Sequence, residues 1–410
     1  MQQQAARVAG LDVHRDTVVA AVRVGEGSEP KVHKSSFATT TAGVGQLAGW
    51  LADFEVTRVV MESTGVYWKP VYYPLEGLFP ELWLVNAGHV KNVPGRKTDM
   101  ADAEWLADVA AHGMVRPSFV PPPPVRELRE LTRYRKTQIT MRAQEIQRLD
   151  KVLQDAGIKI SSVASKVLGK STRAMIEALI AGERDSAVLA EMALTRMRAK
   201  IPALSEALAG RFGAHHGAVA RAILDHIDFL DGTIARLDAE VVDRLDPFQS
   251  AIELLKTIPG VGQVVAETFV AETGADMSRF PTAGHLAAWA GLAPANHESA
   301  GKRRPSGTRH GATWLRRVLM EAAKSASRSK GTYLAAQHRQ IARRRGENKA
   351  TVAVAHSIIV IAWHMLTTGQ TYTELGPDWL ANRHDPQRET ARLIARLEAL
   401  GHKVELSPAA

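Results

Sequence analysis

The chain of 410 residues contains no cysteine. This absence excludes disulfide bonds, thiolate zinc sites and catalysis by a thiol nucleophile, and it is typical of a reducing compartment. Long apolar runs are missing too, since the longest, residues 358–363, is too short to span a bilayer. The first residues lead directly into a predicted strand without a secretory signal pattern. We therefore expect a cytoplasmic protein.

Acidic residues are in deficit. The chain has 52 Lys and Arg against 43 Asp and Glu, a formal net charge of +9, and a pI of about 9.7. The imbalance is uneven, because residues 299–320 hold six basic side chains and no acidic one. Such a charge distribution suits a polyanionic partner, of which nucleic acid is the commonest. The length allows two or three domains.

The N-terminal third predicts an α/β domain. Apolar runs and helical spacing give the element order βββαβαβα, which is the topology of the ribonuclease H-like fold. The predicted strands are residues 8–14, 18–24, 31–37, 57–62 and 81–85, and the predicted helices are residues 44–54, residues 65–78 and a helix beginning at Asp99.

Four carboxylates fall at notable points of these elements. Asp12 is inside the first strand, Glu62 ends the fourth, and Asp99 and Asp102 stand three apart on one helix face. A carboxylate on a buried strand costs several kcal/mol unless it is paired. Each acid alone is commonly a solvated residue or a helix cap, but the four together predict a two-metal site for Mg²⁺, or Mn²⁺, acting on a phosphodiester.

The middle of the chain predicts helices. After the proline run at 121–124, residues 125–153 form a long helical pattern with eight basic and four acidic side chains. Two interpretations stay open: a helix that packs within its own subunit, or a coiled-coil arm for oligomer assembly that also contacts phosphates. Residues 155–245 are helical as well, and the pair His215 and His216 is not favoured as a metal site.

Residues 254–266 predict a helix-hairpin-helix. Two apolar helices flank the turn formed by Pro259, Gly260, Val261 and Gly262. Glycines at such a turn let backbone N–H groups approach a phosphate, and contacts of this kind read little base sequence. The alternative is an ordinary αα-hairpin.

The most basic stretch follows a short helix within residues 280–292. A serine in such a glycine-flanked basic loop is a solvated residue, a phosphate donor or a nucleophile, and composition alone favours the first two because no general base is adjacent. The basic side chains expected to contact nucleic acid here are Lys302, Arg303, Arg304, Arg309 and Arg316.

Six motifs in order along the chain resemble the DEDD transposases of the insertion-sequence family one-ten, also described as bridge-RNA-guided recombinases. Three lie in the N-terminal third and three in the C-terminal part, so the resemblance spans nearly the whole chain. They are residues 10–14, 61–67, 97–103, 258–262, 291–294, and 298–302 with Gly311 and residues 314–316.

The resemblance implies a RuvC-like domain with Asp12, Glu62, Asp99 and Asp102 as its acidic tetrad. It also implies a nucleophilic serine, by motif Ser299, that forms a phosphoserine while the acidic site of another subunit of a tetramer assists. The usual Ser-Gly-Gly-Lys is Ser-Ala-Gly-Lys here, and Ser306 is the alternative serine. Implied partners are donor and target DNA, an element-encoded guide RNA and further copies of the chain, as a dimer or tetramer.

We therefore expect a transposase that excises and inserts its own element in association with the bacterial nucleoid. The expected domains are a RuvC-like domain at 1–124, a helical coiled-coil region at 125–245, a transposase domain at 250–345 and a helical tail at 346–410. The first alternative is a junction-resolving metal nuclease that uses water and needs no serine. The second is a non-catalytic nucleic-acid-binding protein.

Overall fold

The chain forms two compact units, Met1–Val120 and Pro121–Ala410. A computed structural model describes most of both units. The described residues are 4–25, 30–62, 65–86, 99–294, 298–299, 302–303, 307–308, 311–379 and 386–407.

The first unit is built on a five-stranded mixed sheet of order β3-β2-β1-β4-β5. The central strand β1 pairs antiparallel with β2 and parallel with β4; β2–β3 is antiparallel and β4–β5 is parallel. The strands are β1 Arg7–Val13, β2 Thr17–Val24, β3 Lys31–Ala38, β4 Arg58–Glu62 and β5 Glu81–Val85. With α1 Thr41–Asp53, α2 Lys69–Leu75 and α3 Asp99–Ala111, the predicted βββαβαβα order of a ribonuclease H-like domain is confirmed.

The two faces of β1 are buried against different helices. Ala9, Leu11 and Val13 join the core that contains residues of α1 and α2, whereas Val8 packs with residues of α3. This division follows from the alternation of side chains along a strand. Helix α2 is shorter than the predicted 65–78, since it ends at Leu75, directly after the internal Pro74.

The second unit begins with a long helical pair. Helices α4 Pro123–Asp155 and α9 Ala214–Leu245 run antiparallel, and ion pairs join Arg142 to Asp231 and Arg135 to Asp238. At the far end of this pair, Leu149 and Leu153 enter a core made with the short helices in between. These are α5 Ile160–Val163, α6 Lys170–Ala181, α7 Ser186–Glu191, a 3₁₀ turn Thr195–Lys200 and α8 Ile201–Leu208. Helix α4 thus packs along a helix of its own subunit.

The C-terminal helices surround one apolar helix, α15. Its residues Val354, Ile358 and Ile359 are buried, and it contacts α10, α12, α13 and α14. It is long and apolar enough to cross a membrane by length and composition, but here it serves as a core helix. The helices are α10 Gln249–Lys256, α11 Gln263–Thr273, α12 Ala283–Trp289, α13 Thr313–Ser327, α14 Tyr333–Arg345, α15 Glu347–Thr368 and α16 Pro386–Ala399. The predicted boundary at 345 and 346 lies at the turn between α14 and α15, two helices that pack against each other.

Candidate active site

A close approach between β1 and α3 brings the predicted acids together. A Cβ atom on Gly10 would lie 2.1 Å from the carbonyl oxygen of Ala103 and 2.6 Å from the amide nitrogen of Ala107. Only a residue without a side chain lets the helix backbone sit this close to the strand. Asp12 is two residues further along the same strand face, so the first turn of α3 with Asp99 and Asp102 lies near it.

Asp12, His14 and Asp99 form the centre of this site. The Nε2 atom of His14 lies 3.3 Å from Oδ2 of Asp12 and 3.3 Å from Oδ2 of Asp99. One potential ligand atom from each of the three residues lies within 4.8 Å of the other two. The Asp12 side chain is 19% exposed, while those of His14 and Asp99 are more open. The site is therefore an open cluster with Asp12 at its base.

The remaining two acids act on Asp12 through their charge. Burial raises the pKa of Asp12, and the negative charges of Asp99, Asp102 and Glu62 raise it further, while His14 lowers it. The other three predicted carboxylates therefore lie close enough to Asp12 for their charges to act on it. Clustered carboxylate oxygens are the ligands that hard divalent cations prefer. The donor set therefore fits a divalent metal ion.

His14 is a site residue to which the sequence reasoning assigned no role. Its position two residues after Asp12 puts it on the same face of the strand, and this spacing was the available signal. Histidine is abundant on protein surfaces, so the spacing by itself does not distinguish a site residue from a solvated one. The contact with Asp99, which is distant in sequence, is what identifies it.

The second candidate centre is the hairpin that carries Ser299. Strand β6, Glu298–Ser299, pairs antiparallel with β7, Lys302–Arg303, and Ser299 stands opposite Lys302. Ser299 is therefore the last residue of β6 and faces the first residue of β7. Three predicted residues, Arg304, Ser306 and Arg309, lie outside the described part of the chain.

We call the segment between Gly291 and Gly311, which carries Ser299, the serine loop. These two glycines bring its ends together. A Cβ atom on Gly311 would lie 2.3 Å from the amide nitrogen of Gly291, so the two backbones cross in direct contact. The amide of Ala312 donates to the Trp289 carbonyl at 2.9 Å, and Arg316 Nη1 donates to the Gly291 carbonyl at 3.1 Å. Arg316, predicted to contact nucleic acid, thus also holds the loop base to α12.

In the region predicted to be a helix-hairpin-helix, the two helices α10 and α11 are joined by a short turn. Gly260 has a left-handed φ of +87°, and a Cβ there would lie 2.4 Å from the Ala322 carbonyl of α13. The missing side chain of Gly260 therefore serves close packing inside the domain. Gly262 differs, because it is exposed at the N-terminus of α11 and meets nothing within 4 Å. Pro259, at the turn, is half-buried.

His215 and His216 stand at the start of α9 with Asp155. Nδ1 of His216 accepts a hydrogen bond from the Gly213 amide at 3.0 Å, so its protonated Nε2 donates to Asp155 Oδ2 at 3.0 Å. With both ring nitrogens engaged, His216 caps the helix and ties it to α4. These contacts give His216 a structural role at the start of α9.

Comparisons with known proteins show which family the chain belongs to. A family model for the DEDD transposases of IS110, described as Transposase, matches residues 9–158, and a second, described as the transposase IS116/IS110/IS902 family, matches residues 252–339. The chain belongs to this transposase family. It is therefore a DNA transposase, an enzyme whose substrate is DNA.

Individual relatives cover most of this transposase. A probable family 20 transposase of Pseudomonas aeruginosa is 25% identical over 77% of this chain and 85% of its own length. The transposase for insertion sequence element IS1111A of Coxiella burnetii is 26% identical over 80% of this chain and 82% of its own. A structure of Thermus thermophilus RuvC is similar over 27% of this chain and 99% of that one, with 17% identity and a TM-score of 0.22.

Proposed function

We propose that this transposase cleaves and rejoins DNA through the hydroxyl of Ser299, assisted by divalent cations held by Asp12, Glu62, Asp99 and Asp102. The observation that carries the proposal is the meeting of these acids beside Gly10, where burial and mutual repulsion raise the pKa of Asp12. A site that concentrates negative charge in this way is suited to a cation.

Mg²⁺ is the expected ion, with Mn²⁺ as a substitute. When bound, such ions polarise a phosphoryl oxygen and stabilise the charge that develops on the attacking and leaving oxygens. Asp12, at the base of the cluster, would be the central ligand. Glu62, Asp99 and Asp102 would surround it, and His14 would orient the carboxylates of Asp12 and Asp99.

In the proposed cleavage the Ser299 Oγ attacks phosphorus and loses its proton, and a new oxygen–phosphorus bond forms. The bond from phosphorus to one sugar oxygen breaks, and that oxygen takes up a proton to become a free hydroxyl. Rejoining reverses these steps when the hydroxyl of another strand attacks the phosphoserine. The number of phosphoester bonds is conserved, so strand exchange needs no external energy source.

The DNA contacts proposed for the C-terminal part are of two kinds. Exposed Gly262 presents backbone N–H groups at the start of α11, beside Pro259 and Gly260 of the same turn. Basic side chains near the serine, namely Lys302, Arg303, Arg304, Arg309 and Arg316, would neutralise the phosphates around the cleaved bond. An element-encoded RNA that selects the DNA is part of the proposal.

Assembly into a dimer or tetramer completes the proposal. Several large apolar side chains on the α4–α9 pair are exposed, among them Phe229 at 65% and Tyr134 at 56%. A contiguous patch of exposed apolar side chains marks a contact with another chain, and we propose that these side chains form such a patch. Such an arm supports an oligomer in which more than one acidic site and more than one serine act together.

The test is a cleavage reaction with purified protein, its candidate RNA, end-labelled donor DNA and Mg²⁺. Wild type, Ser299→Ala and Asp12→Ala are compared by denaturing electrophoresis, with Ser306→Ala as the matched serine control. We expect a protein-linked DNA band in wild type and Ser306→Ala, no band in Ser299→Ala, and a strongly reduced band in Asp12→Ala. Omitting the RNA should abolish the band.

Free DNA ends that persist in Ser299→Ala but disappear in Asp12→Ala would instead identify a metal nuclease that uses water. A linked band that depends on Ser306 would move the nucleophile to that residue. Binding without cleavage on every substrate would favour a non-catalytic role.

A further inference from the structure

Much of the positive charge on α4 is already neutralised inside the protein. Glu272, which is buried at 1% exposure, binds both Arg133 and Arg129, and Arg135 lies between Glu267 and Asp238. The ion pairs of α4 basic residues with carboxylates join Arg129 and Arg133 to Glu272, Arg135 to Glu267 and Asp238, Lys136 to Glu321, Arg142 to Asp231, and Arg148 to Glu145. This helix offers less free charge than its sequence indicates.

The turn between α14 and α15 is different. Five exposed basic residues cluster at this point of the chain, against one acidic residue, Glu347. Within the described residues, none of the five forms an ion pair with a carboxylate. We call this surface the α14–α15 tip; its basic residues are Arg339, Arg343, Arg344, Arg345 and Lys349.

The α14–α15 tip is held in a defined shape. A single residue, Gly346 with a φ of +83°, joins the two helices. Behind it, the buried His338 lies 3.3 Å from Thr351 Oγ1 and 3.4 Å from Glu347 Oε2, which links the helices and engages the one acidic side chain of the tip. The basic side chains therefore project from a rigid hairpin.

Part of the tip is concave. Arg339 and Arg343 stand one helical turn apart, and with His338, Ala342 and Glu347 they line a cavity of about 310 Å³. Two guanidinium groups at the rim of a cavity are well placed to receive a phosphate, because each offers several N–H donors in a planar fork. The neighbouring Arg344, Arg345 and Lys349 extend the positive surface beyond it.

The chemistry of the tip favours a regular double-stranded backbone. Residues 339–349 contain no aromatic side chain, and proteins that bind single strands usually stack unpaired bases on aromatic rings. A rigid row of cations matches instead the regularly spaced phosphates of a duplex. Since the substrate of this transposase is DNA, we propose that the α14–α15 tip docks on the phosphate backbone of duplex DNA. The inference rests on DNA binding and is independent of Ser299 and of the acidic site.

The experiment measures binding of the full chain to a duplex DNA of mixed sequence, without divalent metal, over a series of salt concentrations. The test variant is Arg339→Ala/Arg343→Ala/Arg344→Ala. The matched control is Arg196→Ala/Arg211→Ala/Arg236→Ala, which removes three other exposed arginines of the same unit. Thermal unfolding of each variant checks that the fold is intact.

We expect the plot of log affinity against log salt to become shallower by about 0.9 for each phosphate contact removed in the test variant. The control should keep the wild-type slope. Equal slopes in wild type and test variant would overturn the proposal while leaving DNA cleavage by the transposase untouched. A wild type that fails to bind duplex DNA would overturn it as well. The same measurements are made with duplex RNA. If the test variant changes the slope for duplex RNA and not for duplex DNA, the α14–α15 tip binds RNA instead.

Discussion

The surroundings of Asp12 disfavour the charged form of its carboxyl group. Burial and three neighbouring acids raise its pKa, so a bound divalent cation removes an unfavourable interaction in the native state. Ligand binding to the native state alone stabilises it by about 2.7 kcal/mol at a hundredfold excess over the dissociation constant. We expect Mg²⁺ or Mn²⁺ to raise the melting temperature of wild type measured with and without chelator.

The variant Asp12→Asn should lose this metal-dependent shift, because it keeps the shape of the side chain and removes its charge. Asp53→Asn is the control, since Asp53 is an exposed acid at the end of α1. A shift that persists in Asp12→Asn would place the principal cation site elsewhere.

Gly10 fixes the distance between the strand and the helix of the acidic site. In Gly10→Ala the added carbon would overlap the α3 backbone at Ala103 and Ala107. Overpacking of this kind typically lowers the free energy of unfolding by about 1–3 kcal/mol. Here the added carbon meets backbone atoms, which cannot rotate away as a side chain can. We expect a lower free energy of unfolding in urea, together with a loss of the metal-dependent rise in melting temperature.

Gly45→Ala is the matched control for Gly10→Ala. Gly45 is exposed in α1 with nothing within 4 Å of an added Cβ. Replacing such a helical glycine should stabilise the protein by about 0.5–1 kcal/mol. Equal effects of the two substitutions would mean that the contact between Gly10 and α3 is not critical.

Sequence reasoning reached part of the acidic site. Asp12, Glu62, Asp99 and Asp102 could be proposed because each sits at a strand or helix position where an acid is unusual or directed to one face. The role of His14 could not, because it depends on a contact with Asp99 across 85 residues of chain. The close contact of Gly10 likewise became visible only once the helix was in place.

At the scale of elements, two buried acids of α11 attach it to α4. The Nε and Nη2 atoms of Arg133 each donate a hydrogen bond of 2.8 Å to a carboxylate oxygen of Glu272. Replacing one member of a fully buried ion pair typically costs about 3–5 kcal/mol, and because Arg133 is 37% exposed we expect the lower end of this range. We expect Glu272→Gln to lower the free energy of unfolding of the second unit by about this amount in urea denaturation.

Glu253→Gln provides the comparison. Glu253 is 63% exposed and pairs with Lys256 on the surface, so its loss should cost less than about 1 kcal/mol. If both variants unfolded at the same urea concentration, the link between α4 and α11 would contribute little to stability.

The order of the strands was predictable because apolar residues recur at the spacings of strands and helices and the loops are short. The packing partners of α4 were not predictable. Its periodicity fits an arm that packs within the subunit or between subunits, and the structure shows packing along α9 without excluding further contacts. The basic residues of α4 also gave no sign of their partners, since Glu267 and Glu272 lie more than 130 positions away. The packing of α15 was not predictable either, because it joins its core through contacts distant in sequence.

At the scale of the whole molecule, the exposed apolar side chains of the α4–α9 pair predict association. Phe229 is 65% exposed on α9. In Phe229→Asp a charge would replace the ring, and transferring that charge into an apolar contact is unfavourable. We expect the dissociation constant of the oligomer, measured by sedimentation, to rise at least about tenfold, which corresponds to about 1.4 kcal/mol.

Val188→Asp controls for a charge added at another exposed apolar position, because Val188 is 46% exposed on α7. It should leave association unchanged. Should Phe229→Asp sediment like wild type, the subunit contact would have to be sought on another surface.

The crossing of Gly291 and Gly311 has a consequence for how this enzyme can diversify. Two chain segments meet there without any side chain between them, so the ends of the serine loop are closed independently of what lies between them. Closing a loop costs free energy that grows only logarithmically with its length, about 0.6 kcal/mol for each doubling. Insertions and deletions between these two glycines are therefore expected to change the free energy of unfolding only slightly. We therefore expect α12 and α13 to stay in place when the segment between these glycines is lengthened or exchanged.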